Sequence, residues 1–367
     1  MSSVRLATWS SVLPLLICPQ CRRSLSVVLT VDERNAVLGH LDERCQEHYP
    51  VIDDVPRVVT GGARGRLYRD FAEWFRQPGA SQWFSGWAPA DPAPSTGDVV
   101  VSRFDSEWTA FADVATAEQS KIFALYFDLV PAAALGTGSA VLDAGCGAGR
   151  WAVQVAARGG RVVALDAGRS VEIAHRNGLQ WGIECVQGDV TTLPFASETF
   201  DLVYSLGVLH HVEETDQAAA ELVRALRPGG HCLIYVYYAL DNRGPVFRSV
   251  YRVVDLIRRV LSRSPQRVLA PISDAIAVLV YLPLARTSRF LQHIGLRAAA
   301  ALPLSSYADR SFRTMRNDSL DRFGTRLEKR FTRMDVVRLM ERAGLEEIRV
   351  ADSAPFWHGV GRRPARP

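Results

Sequence analysis

Between residues 140 and 238, short runs of aliphatic and β-branched residues alternate with stretches whose apolar positions recur every three to four residues. The runs Ala140–Asp143, Arg161–Asp166, Ile183–Val186, Phe200–Ser205 and His231–Tyr238 predict strands. The stretches between them predict helices that end near Arg158, span Val171–Asn177, and span Asp216–Leu226. Thr116 with Gln119 opens an earlier helix that ends near Pro131. Thr332 caps a late one that carries Val336, Leu339, Met340 and Ala343 on one face and stops at Gly344. Two more strands, Glu346–Ala351 and Phe356–Val360, follow. Nearly continuous apolar strands separated by helices belong to a parallel sheet covered on both faces. The expected fold is α/β, with seven mostly parallel strands and a closing antiparallel hairpin.

Two stretches break this rhythm. Residues 1–60 read as a small module with β-type runs Leu25–Val31 and Ala36–Leu41 and a closing Tyr49-Pro50-Val51-Ile52. Residues 61–115 read as a linker and lid segment, with Ala88–Pro94 the most linker-like part. Residues 116–238 and 332–367 form the core, and 239–331 a largely helical, Arg-rich insertion. Within it, Pro245–Leu261 is amphipathic, with Val246, Phe247, Val250, Val253, Val254, Ile257 and Val260 against Arg248, Arg252, Arg258 and Arg259. Such a helix either caps an apolar pocket or rests on a membrane, and a lid packed on the domain is the expectation preferred here.

Composition narrows the choice little. The 367 residues are 48% hydrophobic and 22% charged, which excludes disorder, collagen and coiled coil. The net charge of +4 divides as −1 over residues 1–60, −7 over 61–240 and +12 over 241–367. No uninterrupted apolar run reaches the roughly 18 residues of a membrane span. The longest is Ala275–Ala285, and the segment Val12–Ile17 is too short and Pro-broken for a signal peptide. No transmembrane segment is expected. Six cysteines in so long a chain are no disulfide framework, so a cytoplasmic location is expected.

The chemistry centres on Val141-Leu142-Asp143-Ala144-Gly145-Cys146-Gly147-Ala148-Gly149-Arg150. Glycines at alternate positions admit positive φ and close backbone approach, and the helix behind them offers free N–H groups. The spacing is G-x-G-x-G and not G-x-G-x-x-G, whose third glycine would fall on Arg150. Asp166 ends the second strand, where a carboxylate accepts ribose hydroxyls. Gln187-Gly188-Asp189-Val190 follows the third strand, Phe200-Asp201-Leu202-Val203-Tyr204-Ser205 runs into Gly207-Val208-Leu209-His210-His211, and Arg227-Pro228-Gly229-Gly230 precedes the fifth strand.

Together these residues resemble the class I methyltransferases that use S-adenosylmethionine, in the branch acting on small molecules. The resemblance covers about residues 116–238 and 332–363 and implies a Rossmann-like core. It implies that Gly145, Gly147 and Gly149 line the methionine half of the cofactor, with Asp143 reaching its amino group through the loop. Asp166 would hold the ribose, Asp189 with Val190 the adenine, and Ser205 with Leu206 the sulfonium region.

Cys18-Pro19-Gln20-Cys21 and Cys45-Gln46-Glu47-His48 have the spacing of a tetrahedral zinc site. The opening Cys-Pro-x-Cys and the closing Tyr49–Pro56 resemble Trm112-like zinc ribbons, which carry Cys where His48 stands. A structural Cys3His zinc is expected, with a metal-free ribbon as the alternative. A redox Cys-x-x-Cys lacks its βαβ surroundings. The other three cysteines read as packing residues.

Methyl transfer from a sulfonium needs alignment, plus a base only where the acceptor must lose a proton. His210 and His211 follow the fourth strand at the carboxyl edge of the sheet. One of them is a candidate base or hydroxyl-orienting group; the alternative is that they cap the next helix. Trp108 and Tyr237 are candidate pocket residues, and Phe104, Trp108 and Phe111 stand where this family lays a lid. The expected activity is methyl transfer to a small or lipid-like acceptor under a helical lid. RNA methylation through the ribbon and the basic C-terminal third is the alternative, and a non-catalytic cofactor-binding subunit is the third.

Overall fold

The computed structural model describes residues 8–366 except 43, 88–95, 111–116, 243, 297–301 and 303. The capping residue Thr116, the lid residue Phe111 and the linker Ala88–Pro94 lie outside the described residues. Two compact units result, Met1–Ala239 with Lys329–Pro367, and Leu240–Glu328.

The first unit carries the sheet. In chain order its elements are β1 (Ser26–Thr30), β2 (Ala36–Gly39), β3 (Tyr49–Ile52), β4 (Val55–Val58), α1 (Gly62–Asp70), α2 (Ala72–Phe75), α3 (Thr96–Ala110) and α4 (Ala117–Tyr126). Then come β5 (Ala140–Ala144), α5 (Arg150–Ala156), β6 (Arg161–Asp166), α6 (Ser170–Gly178), β7 (Glu184–Gly188), β8 (Phe200–Leu206), α7 (Thr215–Ala225) and β9 (Leu226–Tyr235). The second unit holds α8 (Pro245–Leu261), α9 (Gln266–Ile276), a π-helical turn (Ala277–Tyr281), α10 (Leu282–His293) and α11 (Phe312–Gly324). The chain returns to the first unit for α12 (Arg333–Arg342), β10 (Glu346–Val350) and β11 (His358–Arg362).

The strand order β7-β6-β5-β8-β9-β11-β10 contains the seven expected strands. The first five are parallel, and β11 runs antiparallel to both β9 and β10. These strands form because their residues are apolar on both faces: Val141, Leu142, Leu165, Val186, Leu202, Val203 and Leu233 are fully buried. The cap on α12 is reciprocal, as its sequence implies: Thr332 accepts from the Asp335 N–H and Asp335 accepts from the Thr332 N–H.

The N-terminal module is continuous with the core sheet. Its meander β1-β2-β3-β4 extends the core sheet to eleven strands, because β4 pairs in parallel with β7, Arg57 opposite Gln187 and Val58 opposite Gly188. Arg57 is fully buried, donates to Gln187 Oε1 at 2.7 Å and lies 3.4 Å from Glu172. The Ile17 N–H donates to Pro194 at 2.9 Å, and the Arg22 guanidinium grips both Glu221 oxygens at 3.0 Å. A polar residue opposite β7 is tolerated because its charge is paired.

Residues 61–87 are also more than linker. Trp74, Phe75, Phe84 and Trp87 pack with Val37, Ile52, Val59 and Leu67 into a small core. Aromatic anchors spaced without a helical or strand period hide this packing from a reading of periodicity.

The helical unit has its own core of Leu269, Tyr281, Ala285, Met315 and Phe323. Ser319 donates to the Ser273 carbonyl at 2.9 Å, and Arg316 forms a two-pronged pair with Asp274. The continuous helix Arg267–His293 is, among the described residues, long and apolar enough to cross a membrane. Counting only uninterrupted apolar runs misses it, since Ser273, Asp274, Arg286 and Thr287 punctuate a predominantly apolar stretch.

Candidate cofactor site and metal centre

The glycine loop joins β5 to α5 at the carboxyl edge, next to the point where strand order reverses between β5 and β8. Open α/β sheets bind ligands at that switch point. Gly145, Gly147 and Gly149 all have positive φ, at 91°, 53° and 79°. A Cβ on Gly145 would strike the Val208 side chain, and one on Gly147 the Trp108 ring. The loop is pinned by the Gly145 and Cys146 N–H groups, which both donate to the Leu165 carbonyl at 2.7 and 2.9 Å.

Two aspartates face this loop. Asp166 takes the Gly147 N–H on Oδ2 and the Gly168 N–H on Oδ1, both at 2.9 Å, which leaves each oxygen a further lone pair. Asp143 is buried and its Oδ2 has no hydrogen-bond partner. Burial pushes its pKa up to about 7, and the Asp166 charge adds to the rise. An orphaned carboxylate oxygen beside a Cβ-free cradle fits a ligand that brings a cationic amine and a ribose. On this observation the residues fit S-adenosylmethionine.

The other expected contacts are placed less uniformly. Asp189 is exposed at the end of β7 and caps the next turn, accepting from the Thr191 N–H and hydroxyl at 2.7 Å. Val190 is buried beside it. The Ser205 hydroxyl donates to the Ala144 carbonyl at 2.8 Å, tying β8 to β5, and Leu206 packs in the core.

Helix α3 lies against the loop. Trp108 lies on Gly147 with the Arg150 guanidinium 5.0 Å from its ring centre, and one turn earlier Phe104 meets the His211 ring at 5.1 Å. Between them Asp105 accepts the Ser170 N–H of α6 at 2.9 Å. Burial lifts its pKa to about 7, with Asp166 contributing. No sequence signal marks Asp105, because an acid inside a helix is ordinarily a solvated one.

His210 is fully buried between Tyr237, stacked at 3.9 Å, and His211 at 4.0 Å. Neither of its ring nitrogens has a hydrogen-bond partner. Burial holds its pKa well below the usual value, with His211 and Arg330 adding positive charge, so the ring stays neutral. Thus Phe104, both histidines and Tyr237 form one chain of ring contacts.

The metal centre departs from the expectation. Cys18, Cys21 and Cys45 converge, but the fourth donor is His40, and all four donor atoms lie within 4.8 Å of one another. Cys18 and Cys45 sulfurs are 4.0 Å apart, and Cys21 Sγ is 3.3 Å from His40 Nε2. His48 turns away: its ring packs on Gly39 and meets Trp83 edge-on at 4.6 Å. The reason is strand geometry, since His40 leaves the end of β2 toward the cysteine knuckle. The tight Cys45–His48 spacing, read alone, points to His48, whereas the structure gathers His40 with the cysteines. The donor set suits zinc.

Residues 142–234 match the family described as "Methyltransferase domain". The chain is 34% identical over 129 residues to the Mus musculus protein named "Probable tRNA methyltransferase 9B", covering 34% of this chain and 28% of that one. It is 36% identical over 115 residues to the malonyl-[acyl-carrier protein] O-methyltransferase of Enterobacter lignolyticus, covering 31% and 45%. It is 30% identical over 111 residues to the sterol 24-C-methyltransferase of Pneumocystis carinii, covering 29% of each. The matched stretch spans less than half the length of each of these relatives. The stretch from β5 to β9 of this chain thus carries a methyltransferase domain.

Proposed function

We propose that this protein transfers a methyl group from S-adenosylmethionine to a small or lipid-like acceptor. The observation that carries the reading is α3, which touches the cofactor loop through Trp108 and the histidine pair through Phe104. Cofactor loop and candidate base thereby share one covered place. The chain enters the helical segment just after β9 and returns where Phe331 bridges Tyr238, at that same carboxyl edge.

In this reading Asp143 accepts the cofactor's ammonium, Asp166 the ribose hydroxyls, and Asp189 with Val190 flanks the adenine. When bound, the cofactor supplies an electrophilic methyl whose bond to sulfur breaks as the acceptor's bond to carbon forms, the electron pair staying on sulfur. Trp108 excludes water and presses the loop. Neutral His210, or His211 beside it, receives the acceptor's proton where one must leave, and Tyr237 holds the His210 ring in place. The mobile burden is small because alignment supplies most of the rate. We also propose a structural zinc on Cys18, Cys21, Cys45 and His40, with four protein donors leaving no open position.

The name of the mouse relative favours a second reading, methylation of tRNA. Against it, four of the ribbon's arginines are engaged: Arg22 with Glu221, Arg23 with Asp42, Arg34 with Asp54 and Arg57 with Glu172. The deciding experiment incubates the protein with methyl-labelled S-adenosylmethionine and a cell extract. Label in an organic-soluble or low-molecular-weight fraction supports the proposal; label in a nuclease-sensitive polymer overturns it in favour of RNA.

A further inference from the structure

We infer that the helical unit docks on the surface of a lipid bilayer carrying anionic headgroups, through α8 and the long helix 267–293. On α8, Val253, Leu256, Ile257 and Val260 are 61, 65, 48 and 62% exposed. Their spacing is i, i+3, i+4, i+7, so they form one stripe. The opposite side of α8 is the one the unit uses for itself. Val254 and Leu261 pack on its core, and buried Arg258 pairs with Asp255 and donates to the Thr325 carbonyl at 3.0 Å. The long helix repeats the division: Leu269, Tyr281 and Ala285 face the core, while Val268, Val278, Leu279, Val280 and Phe290 are exposed.

Charge selects the occupant. Residues 240–328 hold fifteen arginines, no lysine and seven acids, a balance of +8, whereas the rest of the chain stands at −4. Most of those acids are engaged within the unit: Asp255 with Arg258 and Arg259, Asp274 with Arg316, Asp318 with Tyr307 and Asp321 with Thr325. Arg252 and Arg259, with Arg263 just beyond the helix end, sit about 90° around the helix from the apolar stripe at roughly 100° per residue. All three are exposed. An apolar stripe flanked by arginines is the pattern of a helix lying in a membrane interface, the stems snorkelling to anionic headgroups. A second copy meeting it through the same unit would bring +8 against +8. A nucleic-acid surface would offer aromatic rings for stacking, and this stripe is aliphatic. A crossing of the bilayer by 267–293 would tear Leu269, Tyr281 and the Asp274–Arg316 pair from α11. Docking therefore leaves the unit folded, with the helix lying along the surface.

The inference is independent of the methyl-transfer reading, so the test reads vesicle binding and cofactor binding separately. Full-length protein is sedimented with phosphatidylcholine vesicles and with mixed phosphatidylcholine–phosphatidylglycerol vesicles. The expected result is about tenfold more protein on the mixed vesicles, released by high salt or alkaline carbonate. The double variant Leu256→Asp/Ile257→Asp should lose vesicle binding while its circular dichroism and S-adenosylmethionine affinity stay unchanged. Arg252→Glu/Arg263→Glu should lose the preference for the anionic lipid. Equal binding of wild type to both vesicles, no binding to either, or indifference to the Asp pair overturns the inference. So does resistance to carbonate, which means a spanning helix. Binding of tRNA that the Glu pair abolishes and the Asp pair spares, without vesicle binding, overturns it in favour of a nucleic-acid surface.

Discussion

The sheet-bearing unit and the helical unit dispose of their apolar side chains in different ways. Across the 278 residues of the first, five large apolar side chains among the described residues are exposed: Leu41, Leu125, Leu179, Trp181 and Met334. Across the 89 residues of the second there are twelve, running from Val253 to Phe312. The first unit closes on itself, even using a buried arginine to seal the ribbon strand against β7. The second buries one side of each helix and leaves the other for something outside. Scattered exposed leucines need no explanation, but a contiguous set does. If this contrast is right, breaking an internal partner in the sheet unit is costly, and polar substitution on the helical stripe is nearly free.

The largest effect is expected at the metal centre. Structural zinc contributes on the order of 10 kcal/mol in isolated ribbons. Cys18→Ser should abolish stoichiometric zinc in elemental analysis and lower the thermal midpoint markedly. His40→Ala should weaken zinc retention against a chelator, whereas His48→Ala should leave it intact. The reverse order of the two histidines would restore the ligand set implied by spacing alone. Next in size is Arg57→Met. Breaking a buried charged contact costs up to about 3–5 kcal/mol, and the value here should lie at the low end because Gln187 Oε1 loses its donor while Glu172 keeps Arg169. Urea unfolding that shows no loss would mean that the β4–β7 seam does not hold the ribbon to the core.

A third effect lies in the cofactor site and carries a sign. Asp143 has a pKa near 7 when its Oδ2 lacks a partner, so below that pH the free site is mostly protonated. Pairing with an ammonium favours the charged form and lowers the pKa. Affinity for S-adenosylmethionine should therefore be full above pH 7. Below it, affinity should fall by about tenfold per unit until the bound-state pKa is reached. Asp143→Asn should weaken binding by roughly 10- to 100-fold at pH 8, as expected for loss of a charge-assisted hydrogen bond, and should flatten the pH dependence. Calorimetry at pH 6 and 8 distinguishes this from a general loss of fold.

How much of this was legible in the sequence follows from how far each signal reaches. The loop Gly145–Gly149 and the strand-ending Asp166 are local features, and the structure brings them together at the edge where they were expected. The seven core strands likewise announce themselves by apolar runs. What escaped depends on contacts distant along the chain. Val55–Val58 reads as the tail of a ribbon, and only its pairing with residues 187–188 makes it a sheet strand. His40 and His48 are equally plausible ligands by type, and the path of β2 decides between them. The amphipathic pattern of Pro245–Leu261 was visible, but a pattern alone does not say which side faces the unit's own core. Arg258 facing inward and Val260 outward is the reverse of what polarity suggests.

That reversal gives the smallest expected effect and the sharpest test of the contrast. Leu279 is 73% exposed on the π-helical turn, between Val278 and Val280. Leu279→Ser removes apolar area that the fold does not bury, so thermal and urea stability should change by less than about 0.5 kcal/mol. Leu269, two turns and more away on the inner side, is fully buried. Leu269→Ala should cost about 2–5 kcal/mol, the usual range for a truncated core leucine. A loss at Leu279 comparable with that at Leu269 would mean that its side of the helix is already covered within the folded chain. The helical unit would then be as self-contained as the sheet unit, and its outward stripe would have no partner to find.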